Sequence, residues 1–169
     1  WGMGDIGPYV LSMAAGPAAR HTALDVVDIT FSTALDAASF SADDLRLERD
    51  GVVQNLASTT LTLTPLAGNQ YRVSGLAPVT GTDGSYTLKL LTTGLLSSSG
   101  AAGLGGQAVG WRMDTLAPRV LDVQDLLETV RKTVVQSLDV EMSERVDLTT
   151  FDYRDIMLTR TVNGVTSGN

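Results

Sequence analysis

The chain has 169 residues, a net charge of −7, no cysteine, and 43% hydrophobic against 18% charged residues. That length fits one domain, or one and a fraction, and the bias toward Gly, Ser, Thr, Val and Leu suits strands and turns in a folded chain. The acidity argues against nucleic acid and anionic membrane surfaces. The missing cysteine excludes disulfides, thiolate metal sites and a cysteine nucleophile, and no stretch reaches the roughly 18 apolar residues of a membrane span.

Alternation of apolar and polar residues predicts strands along most of the chain. "YVLSM" (9–13) is the first. "DVVDITFS" (25–32) puts Val27, Ile29 and Phe31 on one face, with Asp28 and Thr30 on the other. "LRLER" (45–49) follows, and Asp50-Gly51 is a turn signal leading into "VVQNL" (52–56). "TLTLTPL" (60–66) turns Leu61 and Leu63 inward, "QYRVSGL" (70–76) places Tyr71 with Val73, and "SYTLKLL" (85–91) places Tyr86, Leu88 and Leu90 together. The Gly- and Ser-rich "GLLSSSGAAGLGGQ" (94–107) reads as a flexible loop. No Lys follows its glycines, so it is not a phosphate-binding loop. "AVGWRMD" (108–114) aligns Val109, Trp111 and Met113. Seven or eight short strands with turn signals between them predict an all-β, two-sheet antiparallel sandwich.

"VQDLLETVRKTVVQSL" (123–138) has helix-like spacing at Leu127, Val130 and Val134, but its counterpart "SMAAGPAARHTAL" (12–24) carries Gly16 and Pro17 midway. Both are therefore read as a strand leading into a loop, with at most one helical turn.

That counterpart comes from an internal repeat. "WGMGDIGPYVL" (1–11) aligns with "WRMDTLAPRVL" (111–121), with identity at Trp1/Trp111, Met3/Met113, Pro8/Pro118, Val10/Val120 and Leu11/Leu121. At an offset of 111, residues 28–49 align with 139–160, with seven of 22 positions identical: Asp28/Asp139, Ser32/Ser143, Asp36/Asp147, Phe40/Phe151, Asp44/Asp155, Leu47/Leu158 and Arg49/Arg160. Chance would give roughly one or two at about 6% identity. Two further inserted residues bring Gly51 onto Gly164. The expected organisation is the last strand of a preceding repeat (1–6), a complete repeat (7–114), and the first half of another (115–169), in units of about 110 residues. The chain starts and stops within this pattern and lacks an initiator Met and a signal peptide. The expectation is a segment of something longer.

No residue pattern marks a catalytic, cofactor or metal site. His21 is the single histidine, which excludes a two-histidine metal site within the chain, and it falls in an expected surface loop. No G-x-S-x-G elbow supports a Ser-His-Asp arrangement. The recurring pairs Asp36/Asp147 and Asp44/Asp155 are expected to cap turns. The alternative is Ca2+ at a domain joint, with Asp114 and Asp36 converging beside backbone carbonyls. Trp111 and Trp1 are expected in the core, against a reading as sugar-stacking platforms.

"VVDITFSTALD" and "SLDVEMSERVD", then "FSADDLRLERDG" and "FDYRDIMLTRTVNG", and finally the joint "MDTLAPRV" resemble the bacterial immunoglobulin-like repeats found in tandem in large surface and secreted proteins. The joint's match in the first copy, "GDIGPYV", keeps only the Pro. Many members of that family carry an acidic Asp-x-x-Gly-Asn turn before the last strand. "SSSGAAGLGGQ" has no acidic residue, so ion binding does not carry over to this loop. The resemblance implies an immunoglobulin-like sandwich in a non-enzymatic, extracellular or cell-surface bacterial spacer. Pro8 and Pro118 would stiffen its joints. The partners implied are neighbouring repeats, or other copies of the chain by strand completion, without nucleic acid or membrane insertion. Alternatives are an adhesin or carbohydrate-binding module, or an accessory domain of a secreted hydrolase.

Overall fold

The computed structural model describes residues 6–124, 132 and 134–168. The chain divides into two compact units, Trp1–Thr115 and Leu116–Asn169. The regular structure of the described residues is mostly β-strand, arranged in several sheets of largely antiparallel strands with a few single helical turns between them.

The first unit holds β1 (Val10–Ala14), β2 (Ala19–Arg20), β3 (Val27–Phe31), β4 (Leu45–Arg49), β5 (Val52–Val53), β6 (Thr62–Leu66), β7 (Gln70–Ser74), β8 (Gly84–Leu90) and β9 (Gln107–Met113). One sheet has the order β1-β3-β7-β6, the other β2-β9-β8-β4-β5. Every pairing is antiparallel except β2 with β9. β6 lies at an edge of its sheet and carries Pro65.

Both sheets turn their alternate apolar residues into one core. Val27, Ile29 and Phe31 of β3 and Tyr71 and Val73 of β7 come from one side. Leu45 and Leu47 of β4, Tyr86, Leu88 and Leu90 of β8, and Trp111 and Met113 of β9 come from the other. Each such side chain contributes about 1.5–3 kcal/mol when fully buried. Phe31, Phe40 and Tyr71 meet edge-to-face with centroids 5.4–5.9 Å apart. Trp111 stacks on Tyr86 at 5.3 Å, and among the described residues its buried indole N–H finds no acceptor.

Three sequence expectations are corrected. The stretch 52–56 is a strand only at Val52–Val53, because Asn55 accepts the Ala57 N–H at 3.0 Å and starts a 3-10 turn at Leu56–Ser58. A short strand, β2, lies within the stretch read as loop, where the Arg112 N–H donates to the Ala18 carbonyl at 2.7 Å. The loop 94–107 is built rather than loose. Leu95 is 1% exposed, Ser97 Oγ accepts the Ala101 N–H at 2.9 Å, and Leu35 bridges Ser97. Pro8, within the expected repeat 7–114, is fully buried, and its carbonyl accepts the Leu104 N–H at 2.9 Å.

The second unit holds β10 (Val120–Gln124), β11 (Asp139–Met142), β12 (Thr159–Val162) and β13 (Val165–Gly168). β10 pairs with β11 and β12 with β13, all antiparallel. The strand expected at the start of 123–138 is the end of β10. The loop or helical turn after it lies largely outside the described residues, as do positions 1–5 with Trp1 and Met3.

Candidate functional site

The first candidate is the set of recurring aspartates. In the first unit the Asp36 carboxylate accepts the Ala38 N–H at 3.1 Å, and its carbonyl accepts the Ser39 N–H at 2.9 Å. In the second unit the Asp147 carboxylate accepts the Thr149 N–H at 2.9 Å, and its carbonyl accepts the Thr150 N–H at 3.0 Å. Asp44 and Asp155 each close a capping box. The Ser41 N–H donates to Asp44, and the Asp152 N–H donates to Asp155, both at 2.8 Å. A carboxylate placed this way satisfies the N–H groups that a short turn leaves without partners.

Other contacts recur with them. Ser32 Oγ accepts the Tyr9 N–H at 3.1 Å, and Ser143 Oγ accepts the Arg119 N–H at 2.9 Å. The β1–β3 register slips between Val10 and Ser12, and the β10–β11 register slips between Val120 and Asp122. The turn Asp50-Gly51 has φ of 50° and 81°, and Asn163-Gly164 has the same two values. Ser32/Ser143 stood out as an identity in the alignment. The Ser41/Asp152 caps did not, although a cap residue three before an acid is a readable signature.

Ion pairs tie the faces of the first unit. Arg72 grips Asp28 with two bonds of 2.8 Å across β3 and β7. Lys89 donates to Glu48 at 2.8 Å across β4 and β8, and Arg46 joins at 2.9 Å. Arg72 holds the Asp28 carboxyl below its ordinary range, first through the hydrogen bond and then through its charge. Lys89 does the same to Glu48, and the Thr149 N–H and hydroxyl to Asp147. Burial opposes each shift. Carboxyls lowered on folding stabilise the fold above their unfolded pKa, and that stabilisation is lost as pH falls through the folded value. The Asp28–Arg72 pair is partly exposed and screened, so D28N should lower the melting temperature by at most a few degrees at pH 7. The gap between D28N and the unaltered chain should close as pH falls below about 4, in a series of thermal melts. A gap constant down to pH 2 would show that the pair does not set it.

His21 sits exposed in a bend between β2 and β3. Asp36 caps its turn, while Asp114 lies 3.5 Å from Arg112 and its N–H donates to the Arg20 carbonyl at 2.9 Å. Among the described residues no three His, Asp or Glu side chains group as a metal site would require. Trp111 is 4% exposed, which removes it as a sugar platform. Among the described residues of the first unit, Tyr9 is exposed. Phe151 and Tyr153 are exposed in the second, with Arg154 lying over the Tyr153 ring at 5.3 Å. Among the described residues no helix is long and apolar enough to cross a membrane.

The second candidate is a surface. Several positions matching the first unit's core are exposed in the second, although Met142 and Val146, the matches of Phe31 and Leu35, are half-buried. Val27 and Ile29 are 0% exposed, whereas their matches Leu138 and Val140 are 42% and 36% exposed. Phe40 is buried, whereas Phe151 is exposed. β3 is flanked by β1 and β7, whereas among the described residues β11 pairs with β10 alone.

No family model and no curated protein match the chain. Among solved structures, the N-terminal part of the bacterial S-layer protein SbsC aligns with a TM-score of 0.45 and 15% identity, over 68% of this chain and 25% of that one. The S-layer protein rSbsC aligns with a TM-score of 0.44 and 14% identity, over 71% of this chain and 15% of that one. The titin M3 domain aligns with a TM-score of 0.32 and 12% identity, over 64% of this chain and 96% of that one. The chain thus spans a quarter or less of the length of the S-layer chains with which it aligns.

Proposed function

We propose that residues 7–114 are an immunoglobulin-like sandwich, with residues 1–6 ending one repeat and 115–169 beginning another. In this reading the chain is a non-catalytic segment of a spacer rod in a large extracellular or cell-surface bacterial protein. The observation that carries it is the duplicated backbone framework: the same register slip, serine clamp, capped turns and hairpin turn occur twice, 110 to 113 residues apart in sequence. A catalytic site rarely occurs once per tandem unit, whereas scaffolding does.

The strand orders support the fold assignment. β1-β3-β7-β6 follows the A-B-E-D order of immunoglobulin sheets, and β9-β8-β4 follows G-F-C. Tyr86, near the start of β8, donates its hydroxyl to the Thr82 carbonyl at 2.8 Å, in the manner of the tyrosine corner of such sandwiches.

The parallel pairing of β2 with β9 suits a chain under tension. Pulling at both ends loads the Arg112–Ala18 and Asp114–Arg20 backbone bonds in shear, so they must break together. Stretched between handles at its two ends, the chain should therefore yield a discrete unfolding step of about 33 nm. That corresponds to roughly 105 residues at about 3.5 Å each, less the few nanometres already spanned. Smooth extension without a step would sink the reading.

A further inference from the structure

We propose that the hairpin turn Asn163-Gly164 is a site of spontaneous covalent modification, at which the Asn163 side-chain amide is hydrolysed through a cyclic imide. The turn joins β12 to β13 and lies between the paired residues Val162 and Val165. A two-residue turn of this hand needs positive φ at both positions, and Asn163 has 50° and Gly164 81°. Both residues are exposed. A Cβ built on Gly164 would meet nothing within 4 Å, so water reaches the turn freely. Among the described residues the Gly164 N–H has no acceptor. The exposure belongs to the turn itself. Asp50-Gly51 has the same two φ values, and it too is exposed within the two-sheet first unit, with open space at Gly51.

The chemistry is local. The Gly164 nitrogen gives its proton to hydroxide and bonds to Asn163 Cγ. The Cγ–Nδ2 bond breaks, and the amide takes a proton from water and leaves as ammonia. The five-membered imide then takes up one water. Attack at Cγ restores the original backbone, with an aspartate at position 163. Attack at the α-carbonyl gives isoaspartate, whose backbone is longer by one methylene. The sum is amide plus water to carboxylic acid plus ammonia, with no oxidant or reductant. Aspartate fits the turn, as Asp50 does at the same φ. Isoaspartate lengthens the connection between Val162 and Val165 and so loosens the hairpin.

Glycine selects this asparagine. A side chain on the following residue crowds the attacking nitrogen, and glycine has none. Asn163-Gly164 is the single Asn-Gly pair in the sequence. Asn55 precedes Leu56, and its carboxamide oxygen accepts the Ala57 N–H at 3.0 Å. Asn69 precedes Gln70. Asp50-Gly51 and Asp83-Gly84 have the glycine, but an ionised carboxylate resists nucleophilic attack. Each also accepts hydrogen bonds at 2.8 Å, from Ser85 and Thr115 respectively.

Incubation of the full chain at mildly alkaline pH, followed by peptide mapping, tests this. Cleavage after Arg160 releases residues 161–169, and fragmentation separates Asn163 from Asn169. Asn163 should gain one mass unit at least about tenfold faster than Asn55 or Asn69, and its products should include isoaspartate. G164A should slow the conversion at least about tenfold. Alanine is strained at a φ of 81°, so both chains are also compared in guanidinium, where the turn is absent and the slowing should persist. Conversion at Asn163 no faster than at Asn55 overturns the inference, as does a rate that G164A leaves unchanged. Aspartate formed without isoaspartate overturns it too, as does conversion in guanidinium but not in the folded chain.

Discussion

Replacing Trp111 by alanine is expected to cost the first unit about 3–5 kcal/mol. The side chain is buried, stacks on Tyr86 and lies in the cluster that joins the two sheets, so truncation leaves a cavity in the core beside β8 and β9. Domains of this size are stable by only about 5–15 kcal/mol, so the variant should sit near its unfolding threshold. Guanidinium titration followed by far-ultraviolet circular dichroism measures the loss. W111F keeps a stacked ring and deletes an indole N–H that has no acceptor among the described residues, so its loss should be less than half as large. A cost below about 1 kcal/mol for W111A would contradict the burial on which the fold description rests.

Replacing Gly7 by alanine should cost about 1–3 kcal/mol, the usual range for overpacking. A Cβ at Gly7 would fall on the Ala102 carbonyl, at a place where the chain is fixed by the Leu104 N–H donating to the Pro8 carbonyl at 2.9 Å. Neither side can retreat without giving up that bond. The obstruction is backbone, so trimming the Ala102 side chain should not help. G7A with A102G should be no more stable than G7A, as equilibrium unfolding would show. Rescue by A102G would mean the crowding lies elsewhere.

Much of the first unit was legible because its central strands alternate strictly. β3, β4, β8 and β9 lie within two residues of their predicted limits, and the inward residues Val27, Ile29, Phe31, Tyr86, Leu88 and Trp111 are buried. Asp36, Asp44, Asp147 and Asp155 could be assigned to turns because an aspartate that recurs beside Ser, Thr and Ala has backbone N–H groups within reach. What stayed hidden depends on distant partners. β2 is two residues long and takes its identity from β9, more than 90 residues away. Leu95 and Ser97 are buried by packing that their Gly- and Ser-rich surroundings do not encode. Pro8 reads locally as a stiffened joint, and neither its burial nor the Leu104 N–H on its carbonyl is visible in the residues beside it.

Under the repeat reading proposed above, Pro65 has a consequence for how neighbouring modules meet. Modules joined end to end meet one another at effective concentrations of about millimolar, and similar neighbours are prone to exchange strands. The outer rim of β6 is where a neighbour's strand would zip on, and proline supplies no N–H for it to grasp. At the ends of the other sheet β2 and β5 offer two residues each, too little to template a strand. On the repeat reading proposed above, β6, β2 and β5 thus give a neighbouring module little to pair with, which leaves β1 as the full-length edge of the first unit.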